Sequence, residues 1–427
     1  MEKLIRLCLV AMVLCTEMAC TKEFRPIKKL NDLADNKKFS ELYTELSANR
    51  SAYGEKTLIY YDLILKSVLN QPEESNTLIQ KFRGQFNKFS DTVSYTLIQN
   101  EYYNNQKLLN YKKLKELSED LIENYKRFID SSDYVELKDD NLSYGFLEDE
   151  LPTQVIKNTD SEIKVIKDLA GYNLLRVKAK SDSTVNMIFD TGANVNVVSE
   201  STAKKLNLRI IPNSLVYVAG ATGTRNASRI AIADHGFIEN IEFKNAEFIV
   251  FPDSLLTFAN GMYKINGIIG FPLIMRFESI RFTDSLLYIP KDPVAGTNIP
   301  NLFIKGDDYI IDVTYKNKRL PFFFDTGNSN TTFYKTMYDI DSMNFKSLRD
   351  TVFSYSSIGG TVTEKAKLLP EIKLDCGSKS FVLKNTYIAM GKKNILHPDL
   401  FGSIGKDFVN QYKSISMSFK YSCIDFE

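Results

Sequence analysis

The sequence predicts a multidomain α plus all-β protein, with helical hairpins in front and two similar β lobes behind. Three observations carry this reading. Apolar residues recur at helical spacing through the first third of the chain, short alternating runs bounded by Gly, Asn and Asp follow, and glycine-containing motifs repeat there at one fixed offset. A chain of 427 residues has room for roughly two to four domains. Its 44% hydrophobic and 12% aromatic content supplies apolar surface for several cores.

The N-terminus comes first. Lys3 and Arg6 precede the apolar run Leu7 to Cys15, and Met18-Ala19-Cys20 follows, so residues 1–19 read as a secretory signal. The run is well short of the ~18 residues of a spanning helix. The segment resembles a bacterial lipoprotein signal, which implies lipidation at Cys20, residues 20–29 as a tether, and a place in the bacterial cell envelope, outer-membrane or periplasm-facing. Glu17 stands where that family has an aliphatic residue, which leaves plain secretion open. Export would permit a disulfide between Cys376 and Cys423; two buried thiols are the alternative.

Residues 30–128 read as helical. Leu114, Leu117, Leu121, Tyr125 and Phe128 recur at intervals of three and four, and Leu58, Tyr61, Leu65 and Val68 do the same. Asn49-Arg50-Ser51, Asn70-Gln71-Pro72 and Asn104-Asn105-Gln106 read as turns. Asn36, Asn70 and Asn104 lie 34 residues apart, the period of tetratricopeptide-type (TPR-like) helix pairs. Such a domain is a docking surface for a protein partner or simply a packing unit. Residues 129–162 carry the polar clusters Asp130-Ser131-Ser132-Asp133 and Lys138-Asp139-Asp140-Asn141 and read as a linker.

From Ile163 the texture is β-like, as in Leu174-Leu175-Arg176-Val177-Lys178-Ala179. The sharpest feature is Phe189-Asp190-Thr191-Gly192-Ala193, echoed by Phe324-Asp325-Thr326-Gly327-Asn328, each after an apolar strand. The two aspartates are 135 positions apart (325−190), and that offset also carries Gly171 onto Gly306, Gly192 onto Gly327, Gly267 onto Gly402 and Gly270 onto Gly405. One offset shared by five pairs indicates an internal duplication. It divides the β region into lobes at 163–290 and 298–427, with 291–297 as a hinge.

These boxes resemble those of the retropepsin-like and pepsin-like aspartic proteases, in which each lobe is a β-barrel that supplies one Asp-Thr-Gly loop and a supporting apolar strand ending in Gly. Here the second element is Gly267-Ile268-Ile269-Gly270 and Gly402-Ser403-Ile404-Gly405. The resemblance implies a bilobal pseudo-dimer in one chain, with Asp190 and Asp325 as the catalytic pair. Thr191 and Thr326 would cross-link the two loops, and Gly192 and Gly327 would allow the tight turns. Two carboxyls at close range share one proton, so one can take a proton from water while the other gives one to the substrate carbonyl. Flaps that pair with a peptide backbone are expected at Gly220 to Gly223 and at Ile358-Gly359-Gly360. Asn328 and Ser403 depart from the family pattern, and Asn328 could donate to a carboxylate.

Other chemistries have little material. The net charge of +1 is no footprint of a nucleic-acid binder. Two histidines, His235 and His397, and five cysteines without a C-x-x-C pair argue against a metal site. No Walker loop, G-x-S-x-G elbow or dinucleotide fingerprint is present, so no cofactor is expected. The sequence therefore points to an exported, lipid-anchored aspartic endopeptidase acting on peptides as a monomer. A catalytically silent peptide- or protein-binding scaffold is the competing reading, and an inhibitory pro-segment is a further option for the helical region.

Overall fold

The computed structural model describes residues 24–85, 89–180, 182–294, 296, 299–377, 379–391 and 399–427. The signal segment 1–19, Cys20, His397 and part of the expected hinge lie outside them. Among the described residues no helix is long and apolar enough to cross a membrane.

Among the described residues seven α-helices open the fold: α1 (Lys28–Asp35), α2 (Phe39–Ala48), α3 (Glu55–Val68), α4 (Pro72–Gln85), α5 (Asp91–Leu108), α6 (Tyr111–Asn124) and α7 (Ser131–Leu147). Their starts follow capping chemistry. Ser90 accepts from Val93 N–H at 3.3 Å, Asn110 accepts from Lys113 N–H at 3.4 Å, and Pro72 occupies a first turn where its missing N–H is harmless. Tyr61, Leu65 and Val68 of α3 and Leu114, Leu117 and Leu121 of α6 are buried, as the spacing predicts. Tyr125 and Phe128 fall just past the end of α6, yet both rings pack on Tyr95, at 6.1 and 5.1 Å.

Two expectations need correction. Asn104-Asn105-Gln106 is no turn but lies within α5, because Asn105 donates to Glu101 O at 2.7 Å and Asn104 to Asn76 Oδ1 at 2.8 Å. Asn36 and Asn70 do close helices, so the 34-residue spacing marks two turns and not a third. Residues 129–162 are not a linker either. Asp130 stands at the N-cap of the 17-residue α7, whose Leu137 and Leu147 are buried, and its polar clusters form the solvated and cleft-facing sides of the helix. The following segments then join sheets: Gln154–Ile156 pairs with Glu242 to Lys244, and Ser161–Lys164 pairs with Leu286–Ile289.

The β region contains a ten-stranded and an eight-stranded sheet, tied by a five-stranded sheet to which both halves contribute. In that tie, Ser279–Phe282 runs antiparallel to Ile415–Ser418, with Ser279 opposite Ser418 and Phe282 opposite Ile415. The strand arrangement around the first Asp-Thr-Gly box recurs around the second. Phe189 is paired in parallel with Ile269, and Phe324 with Ile404, at the same 135-residue offset. One apolar core spans both halves. Two further cores join helices to sheets: Phe303, Ile310 and Phe323 pack with the front helices, and Ile188, Val197 and Ile268 with α5 to α7.

Cys376 and Cys423 are both buried and free, which is the alternative of two buried thiols and not the bridge. The Cys376 thiol instead points at Asp312 O, 3.4 Å away.

Candidate active site

Each Asp-Thr-Gly box is the sharp turn that leaves a buried strand, Thr184–Phe189 or Lys318–Phe324. Asp190 N–H donates to Ile269 O and Asp325 N–H to Ile404 O, both at 3.0 Å, which anchors each turn to its glycine-ending strand. The turn closes when Gly192 N–H donates to Asp190 Oδ1 and Gly327 N–H to Asp325 Oδ1, both at 2.8 Å. Behind them Asn196 Oδ1 accepts from Gly270 N–H at 3.0 Å, and Thr331 Oγ1 accepts from Gly405 N–H at 3.1 Å. Asn196 and Thr331 obey the 135-residue offset too. Extending the register beyond the glycines would have found them.

The loops are cross-linked through their threonines. Thr191 N–H donates to Thr326 Oγ1 at 3.0 Å, Thr326 N–H donates to Thr191 Oγ1 at 2.9 Å, and Thr191 Oγ1 donates to Phe324 O at 3.1 Å. Both side chains are buried, so these bonds are shielded from competing water. The glycines pack reciprocally. A Cβ on Gly192 would lie 2.2 Å from Asp325 Oδ1, and one on Gly327 would lie 2.3 Å from Asp190 Oδ1. Any other residue there would displace the opposite carboxyl.

Asp190 and Asp325 thus meet and hydrogen-bond each other. Burial raises the proton affinity of both; the neighbouring charge of Asp190 pushes Asp325 well above the ordinary carboxylate range. The pair therefore holds one proton between them over an extended pH range. The two departures from the family pattern turn out to satisfy each other, since Asn328 Nδ2 donates to Ser403 Oγ at 3.3 Å. The Asn328 side chain, which could have donated to a carboxylate, is thereby engaged with Ser403. Its backbone N–H makes that contact instead, 3.1 Å from Asp325 Oδ1.

The two expected flaps are both hairpins, and their tips meet. Gly220 to Thr224 join Val216–Ala219 to the strand beginning at Arg225, with Gly223 N–H donating to Gly220 O at 2.8 Å. Ile358-Gly359 join Arg349–Ser357 to Gly360–Cys376 in a two-residue turn, with φ of 97° at Gly359 and 137° at Gly360. Ala221 N–H donates to Ser357 Oγ at 2.9 Å across the gap. A Cβ on Gly359 would meet Asn226 Nδ2 at 2.6 Å.

Sequence reasoning missed the third wall of the site. A cavity of about 1530 Å³ runs from the aspartates, under both flaps, to residues of α5 and α7 including Tyr102 and Asp140. Asp139 of α7 holds Arg225, the first residue after the turn of the first flap, through two bonds, 2.7 and 2.5 Å long. Lys406, next to Gly405, reaches across to the first half, where its ammonium lies 3.7 Å from the centre of the Tyr172 ring and 3.3 Å from Ala170 O. Among the described residues no group of three or more His, Cys, Asp or Glu side chains is placed to hold a metal ion.

Comparison with known proteins bears on this geometry. Residues 175–273 match the aspartyl protease family model. That stretch is similar to aspartyl proteases. Among solved structures, a retropepsin-like aspartic protease from Rickettsia conorii is 22% identical over 32% of this chain and 91% of its own, with a TM-score of 0.22. Basic 7S globulin from soybean is 9% identical over 65% of this chain and 97% of its own, with a TM-score of 0.35. No curated protein matches the chain.

Proposed function

We propose that this chain is an aspartic endopeptidase that hydrolyses peptide bonds with a water held between Asp190 and Asp325. The observation that carries the reading is the reciprocal packing of Gly192 on Asp325 and Gly327 on Asp190, which brings two carboxyls from distant parts of the chain into contact. The charged member takes a proton from the water as the water attacks the scissile carbonyl. The protonated member donates to the developing oxyanion, giving a gem-diol; the proton taken from the water then passes to the leaving nitrogen as the C–N bond breaks, and a diol hydroxyl returns its proton to the other carboxylate, so the pair again holds one proton. Backbone groups of the two flap hairpins bind the peptide as an added strand.

The two β halves act as copies of one lobe, arranged as a pseudo-dimer within a monomer. The chain is exported through residues 1–19 and tethered by lipid at Cys20 to the bacterial envelope. A silent binding scaffold with the same fold would have no use for hydrogen-bonded carboxyls at its centre.

The test is cleavage of a quenched-fluorescent peptide pool by the full chain and by Asp190→Asn and Asp325→Asn. Loss of cleavage in both variants, with circular dichroism unchanged, is expected. Cleavage that persists in either variant overturns the proposal.

A further inference from the structure

The two flaps meet each other, and the first also meets the helical domain. Arg225 follows directly on the turn of the first flap, opposite Ala219. Asp139 of α7 accepts two bonds from its guanidinium, from Nε at 2.7 Å and from Nη2 at 2.5 Å, and the Tyr217 ring faces the same group at 4.8 Å. The Asp139 side chain is only 13% exposed, so water competes little for that carboxylate. A two-pronged bond between planar groups fixes direction as well as distance.

The residues flanking Arg225 carry the contact onward. A Cβ on Gly359 of the second flap would lie 2.6 Å from Asn226 Nδ2 and 3.0 Å from Thr224 Cβ, one on each side of Arg225 in the chain. Asn226 Nδ2 donates to Thr224 O at 2.9 Å, and Ala221 N–H donates to Ser357 Oγ at 2.9 Å. Val216 and Val218 of the first flap and Ile358 of the second pack into the core that also holds Leu137 and Leu147 of α7. Contacts thus run unbroken from α7 through the first flap to the tip of the second. A two-stranded hairpin is marginal in water by itself, and lids are drawn from the least stable parts of a fold. A tie to a packed helix removes part of that freedom before any peptide arrives, so binding no longer has to supply the ordering.

We propose that Asp139 is a positioning residue: acting through Arg225, it holds the first flap, and through the flap tips the second, in place over Asp190 and Asp325. The inference rests on the peptidase reading and adds to it a part of the cleft supplied by the helical domain. Because the flaps bind the peptide alike in the ground state and the transition state, the tie acts on KM more than on kcat.

The test is a double-mutant cycle on the full chain with Asp139→Asn, Arg225→Gln and both together, read in two ways. Amide hydrogen exchange without peptide follows residues 216–228 and 349–365, with strands 279–282 and 415–418 of the five-stranded sheet as reference. Cleavage of quenched-fluorescent peptide gives kcat and KM separately. Each single variant should speed exchange in both flaps by about tenfold and raise KM by about the same factor, the scale of one charge-assisted bond, with kcat within about twofold and the reference strands unchanged. The double variant should match the singles, because the second change removes a bond already lost. Flap exchange unchanged in the singles, or equally faster exchange in the reference strands, overturns the inference. So does a double variant whose effects sum, or a KM that does not move where the unsubstituted chain cleaves. The expected exchange pattern with no cleavage by the unsubstituted chain supports the tie and overturns the peptidase reading instead.

Discussion

Thr191→Val and Thr326→Val are not equivalent, although their motifs are. Valine keeps the shape of threonine and removes the hydroxyl. At position 191 the lost oxygen serves two buried backbone groups, Thr326 N–H at 2.9 Å and Phe324 O at 3.1 Å. At position 326 it serves one backbone group, Thr191 N–H at 3.0 Å. An orphaned buried polar group costs about 1–3 kcal/mol, so Thr191→Val should lose roughly 2–6 kcal/mol and Thr326→Val roughly 1–3. Against a total stability of about 5–15 kcal/mol for a typical domain, the difference is large enough to read. The assay is urea unfolding of both variants and the double variant, with the slope held in common. The double variant should lose less than the sum of the singles, because the hydroxyls are 3.3 Å apart and share a network. Equal losses for the two single variants, or a larger one at 326, would refute the assignment of two partners to Thr191.

Further outcomes follow from the same geometry. Raised folded-state proton affinities of Asp190 and Asp325 mean that stability is fully present below the ordinary carboxylate range and is lost as pH rises from that range through the raised folded-state values. Asp190→Asn and Asp325→Asn should therefore raise the thermal midpoint at pH 7 and leave it nearly unchanged at pH 3. Activity should have a basic limb well above the carboxylate range, set by loss of the shared proton and visible in a kcat/KM profile. Gly359→Ala places a methyl 2.6 Å from Asn226 Nδ2 at a φ of 97°, so kcat/KM for peptide should fall by about tenfold with a stability loss of only about 1 kcal/mol. Burial lowers Lys107 to about 7, so the folded chain gains stability as pH rises from there toward 10.5; in Lys107→Met that rise should vanish from thermal scans at pH 6.5 and 9.

The parts of the site that were legible in sequence are those fixed by backbone need. Gly192 and Gly327 face a carboxyl too closely for any Cβ, so the requirement is written into the residue type at a constant offset. The flap turn at Gly359 is legible for a similar reason, its positive φ. Helix α7 was hidden because Asp130, Ser131, Ser132 and Asp133 serve equally well as a turn or as a cap and first turn, and only packing of Leu137 and Leu147 decides. The Asn328–Ser403 bond joins positions 75 residues apart that look like two separate defects in a linear reading. The inner wall of the cleft combines α7, the strand bearing Glu247 and the turn at Asp307, and no motif links segments so distant in the chain.

The helical region is hard to reconcile with a removable inhibitory segment. Such a segment covers a finished enzyme, and its release leaves a surface suited to water. Here Ile188 and Phe323, one residue before the ends of the strands that deliver Asp190 and Asp325, point into cores shared with the helices. Ile268, which pairs with Ile188, joins the same helical core, whereas Ser403, which pairs with Phe323, is the partner of Asn328. Removing the helices would bare apolar side chains directly behind the aspartates, at about 25 cal/mol per Å² of exposed apolar surface. The same helices place Asp139 on the first flap and Asp140 in the cleft. Through the Arg225–Asp139 pair α7 reaches the first flap directly, so the helices form part of the cleft itself and are not a cover laid over it.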